Sequence, residues 1–377
     1  MNLPPIYLLH SADYELYLGG SYLSEHELLI TPTDELLNIY DSMDVSTTLF
    51  VDVACLWRYR ELGLDQFPDE VDRQLQRAVD RGHDVQAHIH PHWSETRFKG
   101  GNFFFDAKKY LLGTLDNDPE KCAKLTKEFL KRAKDSLTNL LCEVDPDYRC
   151  LAFRAGGYGL QPLEGMIFDM LAEVGYKIDS SIIPGAHFKS TMQQVDFRGV
   201  PKRANYWLDG ENGLAASARD GAGVFEIPIA SFSPSGWRKG YINTPDAIGR
   251  GWQILLGKDK KMLARGRPCT VPEATIEASR LKLAYWAMDA RLRTNFHRLE
   301  LGRDHRLMLH CVKNYLQPFV HSSKPIFFSL NCHPKGLEKS YLKALSRFHN
   351  SLGSIYGDRI KTITFQEAWK IIKSTTW

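Results

Sequence analysis

No stretch of the sequence approaches the roughly 18 consecutive apolar residues that a membrane-spanning helix needs. The N-terminus reads MNLPPIYLLH and lacks both the basic segment and the apolar length of a secretory signal peptide. Excess charge is lacking too, because 48 Lys and Arg stand against 45 Asp and Glu, for a net charge of +3. This near-neutral balance predicts binding neither to nucleic acid nor to a membrane surface. We therefore expect a soluble, cytoplasmic protein.

Low-complexity segments, internal repeats and CxxC pairs are absent as well. The seven cysteines are scattered and odd in number, so reduced thiols are the simplest interpretation. The composition is that of a globular protein, with 43% hydrophobic and 25% charged residues. At 377 residues, the chain is long enough for one α/β barrel with insertions or for two ordinary domains.

The first half of the sequence alternates short apolar strands with amphipathic helices. In the segment 69–81, apolar side chains recur at helical spacing on one face: Val71, Leu75, Ala78 and Val79. This alternation predicts a parallel sheet, open or closed into a barrel. The predicted strands are 6–10, 47–53, 84–89, 151–154 and 177–179, and the predicted helices begin near 31 and span 69–81, 118–141 and 163–174.

The alternation breaks in the middle of the chain. Residues 185–223 are polar and irregular, and residues 231–272 are rich in Gly, Arg and Lys without a clear period. The β–α rhythm then resumes after 324. We therefore interpret 1–377 as one barrel-like domain, with 185–323 an insertion before the last strands. Further predicted strands are 224–229, 325–330 and 360–363, and further predicted helices are 274–289, 305–320, 337–352 and 365–372.

Three alternating histidines, His88, His90 and His92, lie where a predicted strand runs into a loop that contains Pro91. Alternate strand residues point to one side, so two or three imidazoles could converge. Neutral imidazole suits zinc and other divalent transition metals. The alternative is a polar loop with incidental histidines. A metal site is favoured because α/β barrels place their active sites at such strand ends.

Two carboxylates, Asp13 and Glu15, stand two residues apart where the first predicted strand ends. A metal site needs a charged oxygen ligand beside its imidazoles, and hydrolysis also needs a general base. Two acids could divide these roles between them. Taken alone, they could equally be surface acids at the start of a loop.

A strand that ends in Arg154 leads into the glycine-rich turn Ala155-Gly156-Gly157-Tyr158-Gly159. Arginine can fix a carboxylate by a two-pronged hydrogen bond. Glycines allow backbone N–H groups to approach a substrate oxygen closely. The turn lacks the GxGxxG spacing and does not follow the first strand, which argues against a dinucleotide site.

Two more strand ends carry reactive side chains. A late apolar strand ends near His333-Pro334, where His333 could give a proton to a leaving group. Asp179 ends another strand and could orient a histidine, bind substrate or cap the following loop. A Cys–His nucleophile pair at Cys332 is disfavoured, because adjacent strand residues face opposite ways.

These segments, in this order, resemble the polysaccharide deacetylase family, the NodB-homology carbohydrate esterases of family four. The resemblance covers about 1–184 and 324–377. It rests on four motifs. The acidic motif is Asp13-Tyr14-Glu15, and the HxxxH motif is His88 with His92, preceded by Gly-His-Asp. The Arg motif is Phe153 to Tyr158, and the late Leu-x-His motif is Leu330 to Pro334, with one extra residue before the histidine.

The resemblance implies a distorted (β/α)7 barrel of α/β class that hydrolyses acetamides on sugars with a divalent metal, most often zinc. Glu15, His88 and His92 would hold the metal, with His90 as an alternative ligand. The Asp-x-Glu order differs from the two adjacent aspartates followed by Gly that are usual in the family. The division of roles between Asp13 and Glu15 therefore stays open.

For the remaining positions, the resemblance implies Asp13 as the base and His333 as the acid. Arg154 would hold Asp13, and the Gly157–Tyr158 backbone would face the oxyanion. Three functions remain in view. The first is a metal-dependent deacetylase of a sugar or polysaccharide precursor. The second is an amidase on a small non-sugar amide, as in the allantoinase-like branch that shares the Asp-Tyr-Glu run. The third is an inactive carbohydrate-binding protein.

Overall fold

The computed structural model describes residues 4–16, 23–100, 102–190, 192–217, 219–221, 223–256 and 280–377. In chain order the strands are β1 (Ile6–Tyr14), β2 (Thr48–Asp52), β3 (Asp84–Ile89), β4 (Arg97–Lys99), β5 (Asn102–Phe104), β6 (Ala152–Ala155), β7 (Ile178–Asp179), β8 (His187–Lys189), β9 (Gln194–Asp196), β10 (Tyr206–Leu208), β11 (Val224–Glu226), β12 (Ser231–Phe232), β13 (His297–Arg298), β14 (Ile326–Leu330) and β15 (Ile360–Thr362).

The α-helices of the described residues flank these strands along the chain. They are α1 (Thr31–Ser42), α2 (Val53–Glu61), α3 (Gln66–Asp80), α4 (Pro119–Leu141), α5 (Glu164–Val174), α6 (Gly236–Leu255), α7 (Arg280–Arg293), α8 (His305–Leu316), α9 (Lys339–Tyr356) and α10 (Phe365–Ile372). The predicted helix 274–289 falls partly on residues outside the described ranges, and the structure has α7 over its remainder.

Seven strands form a closed ring of parallel neighbours. β14 pairs with β1, which is followed around the ring by β2, β3, β6, β7 and β11. The ring closes beyond β11, where Ile229 forms a parallel bridge with Ser329 of β14. There the Ala230 N–H donates to the Ser329 carbonyl at 3.1 Å, and the Ser329 N–H donates to the Pro228 carbonyl at 2.9 Å. The distorted (β/α)7 barrel predicted from the sequence is confirmed.

The strands and helices bury the residues that the sequence pattern indicates. β2, β3 and β14 are buried along their whole length, as expected for parallel strands covered by helices on the outside. On α3, Val71, Leu75 and Ala78 are fully buried at helical spacing. Outside the ring, β15 pairs with the first residues of β1, so β1 lies in the middle of the sheet.

The middle of the chain contributes one strand to the barrel and also forms elements outside it. The range 185–323 supplies β11, a strand of the ring, as well as the chain outside it. After Ala230 the chain forms a helical hairpin of α6 and α7, then returns as β13, which pairs antiparallel with β12. Helix α6 lies in a segment where the sequence showed no clear period. Its glycines and Pro245 obscure the helical pattern.

Six cysteines are free thiols, and Cys269 lies outside the described residues. None of the described helices combines the length and the apolarity that crossing a bilayer requires.

Candidate active site

The candidate site lies at the carboxyl ends of the barrel strands, where α/β barrels carry their chemistry. Asp13 is the last residue but one of β1, and Glu15 directly follows that strand. His88 is in β3 and Arg154 in β6, and His333 follows β14. Parallel strands bring these distant residues to one edge of the ring.

Asp13 is held by a buried ion pair. One guanidinium nitrogen of Arg154 donates to its Oδ1 at 2.7 Å, and the side chains of Arg154 and Asp13 are 0% and 3% exposed. The Asn331 amide donates to Oδ2 at 2.9 Å, and the Tyr158 hydroxyl donates to the same oxygen at 3.4 Å. Burial alone would raise the pKa of Asp13, but the charges of Arg154, His88 and His333 outweigh it and lower the pKa. Asp13 is therefore held as an ionised carboxylate.

Arg154 is anchored by more than Asp13. Its Nε donates to the Ser180 carbonyl at 2.8 Å, and its other terminal nitrogen donates to the Ser180 hydroxyl at 3.0 Å. The first terminal nitrogen also reaches Asn331 Oδ1 at 3.0 Å, and the guanidinium carbon lies 4.1 Å from the centre of the Phe50 ring. A buried charge with this many partners is fixed in place, so Arg154 positions Asp13.

Glu15 divides its two oxygens between a cation and two imidazoles. Lys335 Nζ donates to Oε1 at 2.8 Å. Oε2 lies 3.5 Å from His88 Nε2 and in contact with His90 Nε2. Burial would raise the pKa of Glu15, but Lys335 and His90 outweigh it and hold the pKa well below its usual range. Glu15 is thus ionised, with one oxygen directed at two ring nitrogens.

The ring orientation of His88 is fixed by the main chain. Its Nδ1 donates to the Arg154 carbonyl at 2.8 Å, which directs Nε2 toward Glu15. A histidine that ligates a metal commonly donates its second N–H to such a carbonyl. Burial would lower the pKa of His88, but the carboxylates of Glu15 and Asp13 outweigh it and raise the pKa.

The structure brings His90, rather than His92, beside Glu15 and His88. Ligand atoms of Glu15, His88 and His90 all lie within 4.8 Å of one another, and His92 is outside that group. Strand alternation puts His88 and His90 on one side, but a 3-10 helix begins at Pro91 and ends the alternation before His92. His92 packs instead against aromatic rings, 5.4 Å from Tyr110 between ring centres. Burial lowers the pKa of His92 well below its usual range.

Gly156 allows the His90 ring to lie close to the turn after β6. A Cβ at Gly156 would lie 2.4 Å from the Ile89 carbonyl oxygen and 2.7 Å from His90 Nδ1. Gly157 has a φ of +59°, and a Cβ there would lie 2.9 Å from the Tyr110 hydroxyl. The two glycines are therefore required for the close packing of this turn.

His333 lies between the acids that end β1 and Glu300, in the segment that follows β13. Its Nε2 lies 3.4 Å from Asp13 Oδ2 and 3.5 Å from Glu15 Oε1, and its Nδ1 lies 3.4 Å from Glu300 Oε1. Glu300 is placed there because it forms a parallel bridge with Asn331, next to β14. A carboxylate on one ring nitrogen can orient the imidazole, with the other nitrogen directed into the site.

Arg298 and Asp179 lie around this centre. Arg298 donates to both Glu300 oxygens, at 3.1 and 2.8 Å, and its guanidinium carbon lies 5.3 Å from the centre of the Tyr158 ring. Asp179 is fully buried, accepts from the Ser181 hydroxyl at 2.7 Å and belongs to neither group of candidate metal ligands. Burial raises the pKa of Asp179 and of its neighbour Glu226.

The donor set fits a divalent transition metal. The Nε2 atoms of His88 and His90 are buried and, within the described residues, have no well-aligned hydrogen-bond partner. Both face a carboxylate oxygen of Glu15. One carboxylate and two neutral imidazoles with a further open position are a ligand set that catalytic zinc adopts.

Several site residues were missed by sequence reasoning. Asn331 and Lys335 flank His333 in the sequence, so their position beside a candidate acid was an available signal. Asp52 accepts the His90 backbone N–H at 3.1 Å, and it ends a predicted strand as the other site acids do. Nothing in the sequence indicated Arg298 or Glu300, because tertiary packing alone brings them to His333.

No family model and no curated protein matches this sequence. Similar solved structures include one assigned as a polysaccharide deacetylase from Mycobacterium smegmatis, 13% identical over 99% of this chain and 92% of its own, with a TM-score of 0.46. An allantoinase is 12% identical over 98% and 91%, with a TM-score of 0.46. One assigned as a polysaccharide deacetylase from Pseudomonas aeruginosa PAO1 is 12% identical over 97% and 90%, with a TM-score of 0.43. At such low identity, the chemistry of the site has to be derived from its own residues.

Proposed function

We propose that this protein is a metal-dependent hydrolase that removes N-acetyl groups from a sugar or polysaccharide precursor. One observation carries the proposal. A carboxylate held by a buried arginine, Asp13, lies 3.4 Å from His333 and next to the Glu15, His88 and His90 group. A candidate base, acid and metal-ligand set thus lie together at the carboxyl ends of the barrel strands, here called the barrel mouth.

The two reacting groups have complementary tasks. In acetamide hydrolysis, water attacks the carbonyl carbon and gives a proton to Asp13. The carbon–nitrogen bond then breaks as His333 Nε2 gives a proton to the leaving nitrogen. A divalent metal at Glu15, His88 and His90 would supply polarisation of the carbonyl and a water of lowered pKa. The carboxylate of Glu300, 3.4 Å from His333 Nδ1, would help to orient the ring.

The roles of the two acids follow from their partners. Glu15 directs one oxygen at two imidazoles, which suits a ligand. Asp13 is tied to Arg154 and Asn331 and faces His333, which suits a base. These contacts support the assignment that the family resemblance implies.

Metal content tests the ligand set. We expect zinc to co-purify with the wild type and to be lost in His88→Ala and in His90→Ala, with His92→Ala keeping most of it. The matched control is His26→Ala, whose side chain is 59% exposed and belongs to neither group of candidate metal ligands. Loss of zinc in His92→Ala with retention in His90→Ala would restore the HxxxH pair as the ligands. A wild type that neither contains nor takes up zinc would favour an inactive binding protein.

Turnover tests the base. In Asp13→Asn we expect kcat to fall by about 10²- to 10⁴-fold, the range for loss of a general base. Metal content should stay at the wild-type level if the ligands are Glu15, His88 and His90. Loss of metal would favour the neighbouring group of Asp13, Glu15 and His333 instead. Wild-type turnover in this variant would remove Asp13 from the mechanism.

Substrate assays decide between sugar and non-sugar amides. Acetylated glucosamine oligomers and small ureides are assayed side by side with the zinc-loaded enzyme. Release of acetate from the oligomers supports the proposal. Hydrolysis of the ureides alone would establish the second function, an amidase of the same fold.

A further inference from the structure

The helical hairpin of α6 and α7 exposes more large apolar side chains than all the other described residues together. Trp237 is 78% exposed, Tyr241 76% and Leu281 69%. Of the sixteen large hydrophobic side chains exposed among the described residues, ten belong to this hairpin or the residue after α6. Apolar surface concentrated in this way marks an interaction site.

The exposed side chains are arranged as stripes. On α6 they recur at spacings that share one helical face: Trp237, Tyr241, Ile248, Trp252 and Leu255. On α7 the same spacing holds for Leu281, Tyr285 and Leu292. Other α6 residues are buried, namely Asn243, Ala247 and Ile254, as is Ala284 of α7. Helix α6 therefore has one face buried and an apolar stripe exposed on another face, and α7 exposes a similar stripe.

Charge is segregated into the same part of the chain. The described residues 236–256 and 280–293 contain seven Lys and Arg and two Asp and Glu, a net charge of +5. The whole chain has only +3, which leaves −2 for the remainder. The balance that predicts no membrane-surface binding is therefore an average over two oppositely charged regions.

We propose that this hairpin docks on an anionic lipid surface. Helices that lie in a membrane interface combine Trp, Tyr and Leu on one side with Lys and Arg on the other. A negatively charged leaflet attracts basic segments as well. Symmetric pairing with a second copy would set +5 against +5 in the described part of the hairpin, so charge disfavours that occupant.

The hairpin is attached beside the candidate site. The Asn243 amide donates to the carbonyls of Leu292 and Thr294, at 3.2 and 2.9 Å, and its Oδ1 lies 2.7 Å from His297 Nε2. His297 begins β13, which leads directly to Arg298 and Glu300. A docked hairpin would therefore hold the barrel mouth close to the lipid surface. Docking itself does not depend on the proposed function.

Co-sedimentation with vesicles tests this inference. The full-length protein is mixed with vesicles of phosphatidylglycerol and phosphatidylcholine, and with vesicles of phosphatidylcholine alone. We expect binding to the anionic vesicles that weakens as salt is added. In Trp237→Ser/Trp252→Ser, binding should fall about tenfold or more, because two large apolar side chains no longer enter the interface.

The control variant is Ile355→Ser, which removes an exposed apolar side chain of α9 that is 61% exposed. It should bind vesicles like the wild type. Metal content and hydrolysis of a small soluble acetamide should be unchanged in the double variant, which separates a docking defect from a failure of the site. Equal binding to both kinds of vesicle, or equal binding by wild type and double variant, would overturn the inference. So would a concentration-dependent dimer that the double variant loses, with no vesicle binding by the wild type.

Discussion

At the barrel mouth charged side chains are buried, whereas on the hairpin aromatic side chains are exposed. Arg154 is 0% exposed and Trp237 is 78% exposed, the reverse of the usual distribution. The buried charges are stable because each has a partner inside the fold, as Arg154 has in Asp13. The exposed rings of the hairpin lie mostly outside the packed core. Changes at the mouth should therefore affect stability strongly, and changes on the hairpin should affect it little.

The largest expected effect on stability is that of Arg154→Met. The substitution leaves the Asp13 carboxylate buried without its main counter-charge, so we expect the free energy of unfolding to fall by about 3–5 kcal/mol. Urea denaturation measures this loss. The matched control is Arg198→Met, which breaks an exposed pair with Asp196. It should cost no more than about 1 kcal/mol. Equal losses in the two variants would contradict the contrast between buried and exposed charge.

An intermediate, pH-dependent effect is expected at Glu226. Burial, with the neighbouring Asp179, raises the pKa of Glu226 well above its ordinary value of 4.5. Above pH 4.5, Glu226 of the unfolded chain loses its proton, whereas Glu226 of the folded chain retains it. The free energy of unfolding of the wild type therefore falls as the pH rises toward the folded pKa. Gln mimics the protonated acid. Glu226→Gln should therefore gain stability relative to wild type, by up to about 1.4 kcal/mol per pH unit.

Urea denaturation at a series of pH values from about 4.5 upward measures this gain. The control is Glu128→Gln, which changes an exposed carboxyl of α4 and should show no comparable trend. A constant difference between Glu226→Gln and wild type across that range would show that the folded chain does not retain the proton.

The smallest effect on stability is expected for the hairpin. Trp237→Ser/Trp252→Ser should change the free energy of unfolding by no more than about 0.5 kcal/mol per site, because both rings are largely exposed. The same urea titration measures it. A loss as large as that of Arg154→Met would mean that these rings are packed within the fold, and the contrast between the two regions would fail.

The alternation of strands and helices predicted a parallel sheet, open or closed, and the family resemblance added the (β/α)7 barrel. Asp13, Arg154 and His333 each end or follow an apolar strand, and parallel strands bring their ends to one edge. Helix α6 could not be predicted, because Pro245 and four glycines interrupt its apolar pattern. The choice between His90 and His92 depends on where the strand gives way to the turn at Pro91, which strand alternation does not determine.

The other unpredicted part of the site comes from packing between distant segments. Glu300 reaches His333 through a bridge to Asn331, and no local pattern links the two stretches. The helical stripes of the hairpin are visible in the sequence, at Trp237, Tyr241 and Trp252, for example. Whether such a stripe faces the core or solvent is decided only by what packs on it.

The position of β1 has a consequence for how the protein is made. This strand pairs on one side with β14 and on the other with β15 and β2, and the Ser11 hydroxyl donates to the Leu330 carbonyl across 319 residues of sequence. Contacts so far apart along the chain form slowly, and a nascent chain cannot form them until the later strands have been synthesised. Asp13 and Glu15 are thus translated early but gain their partners late. The candidate site would then be among the last parts of the barrel to assemble.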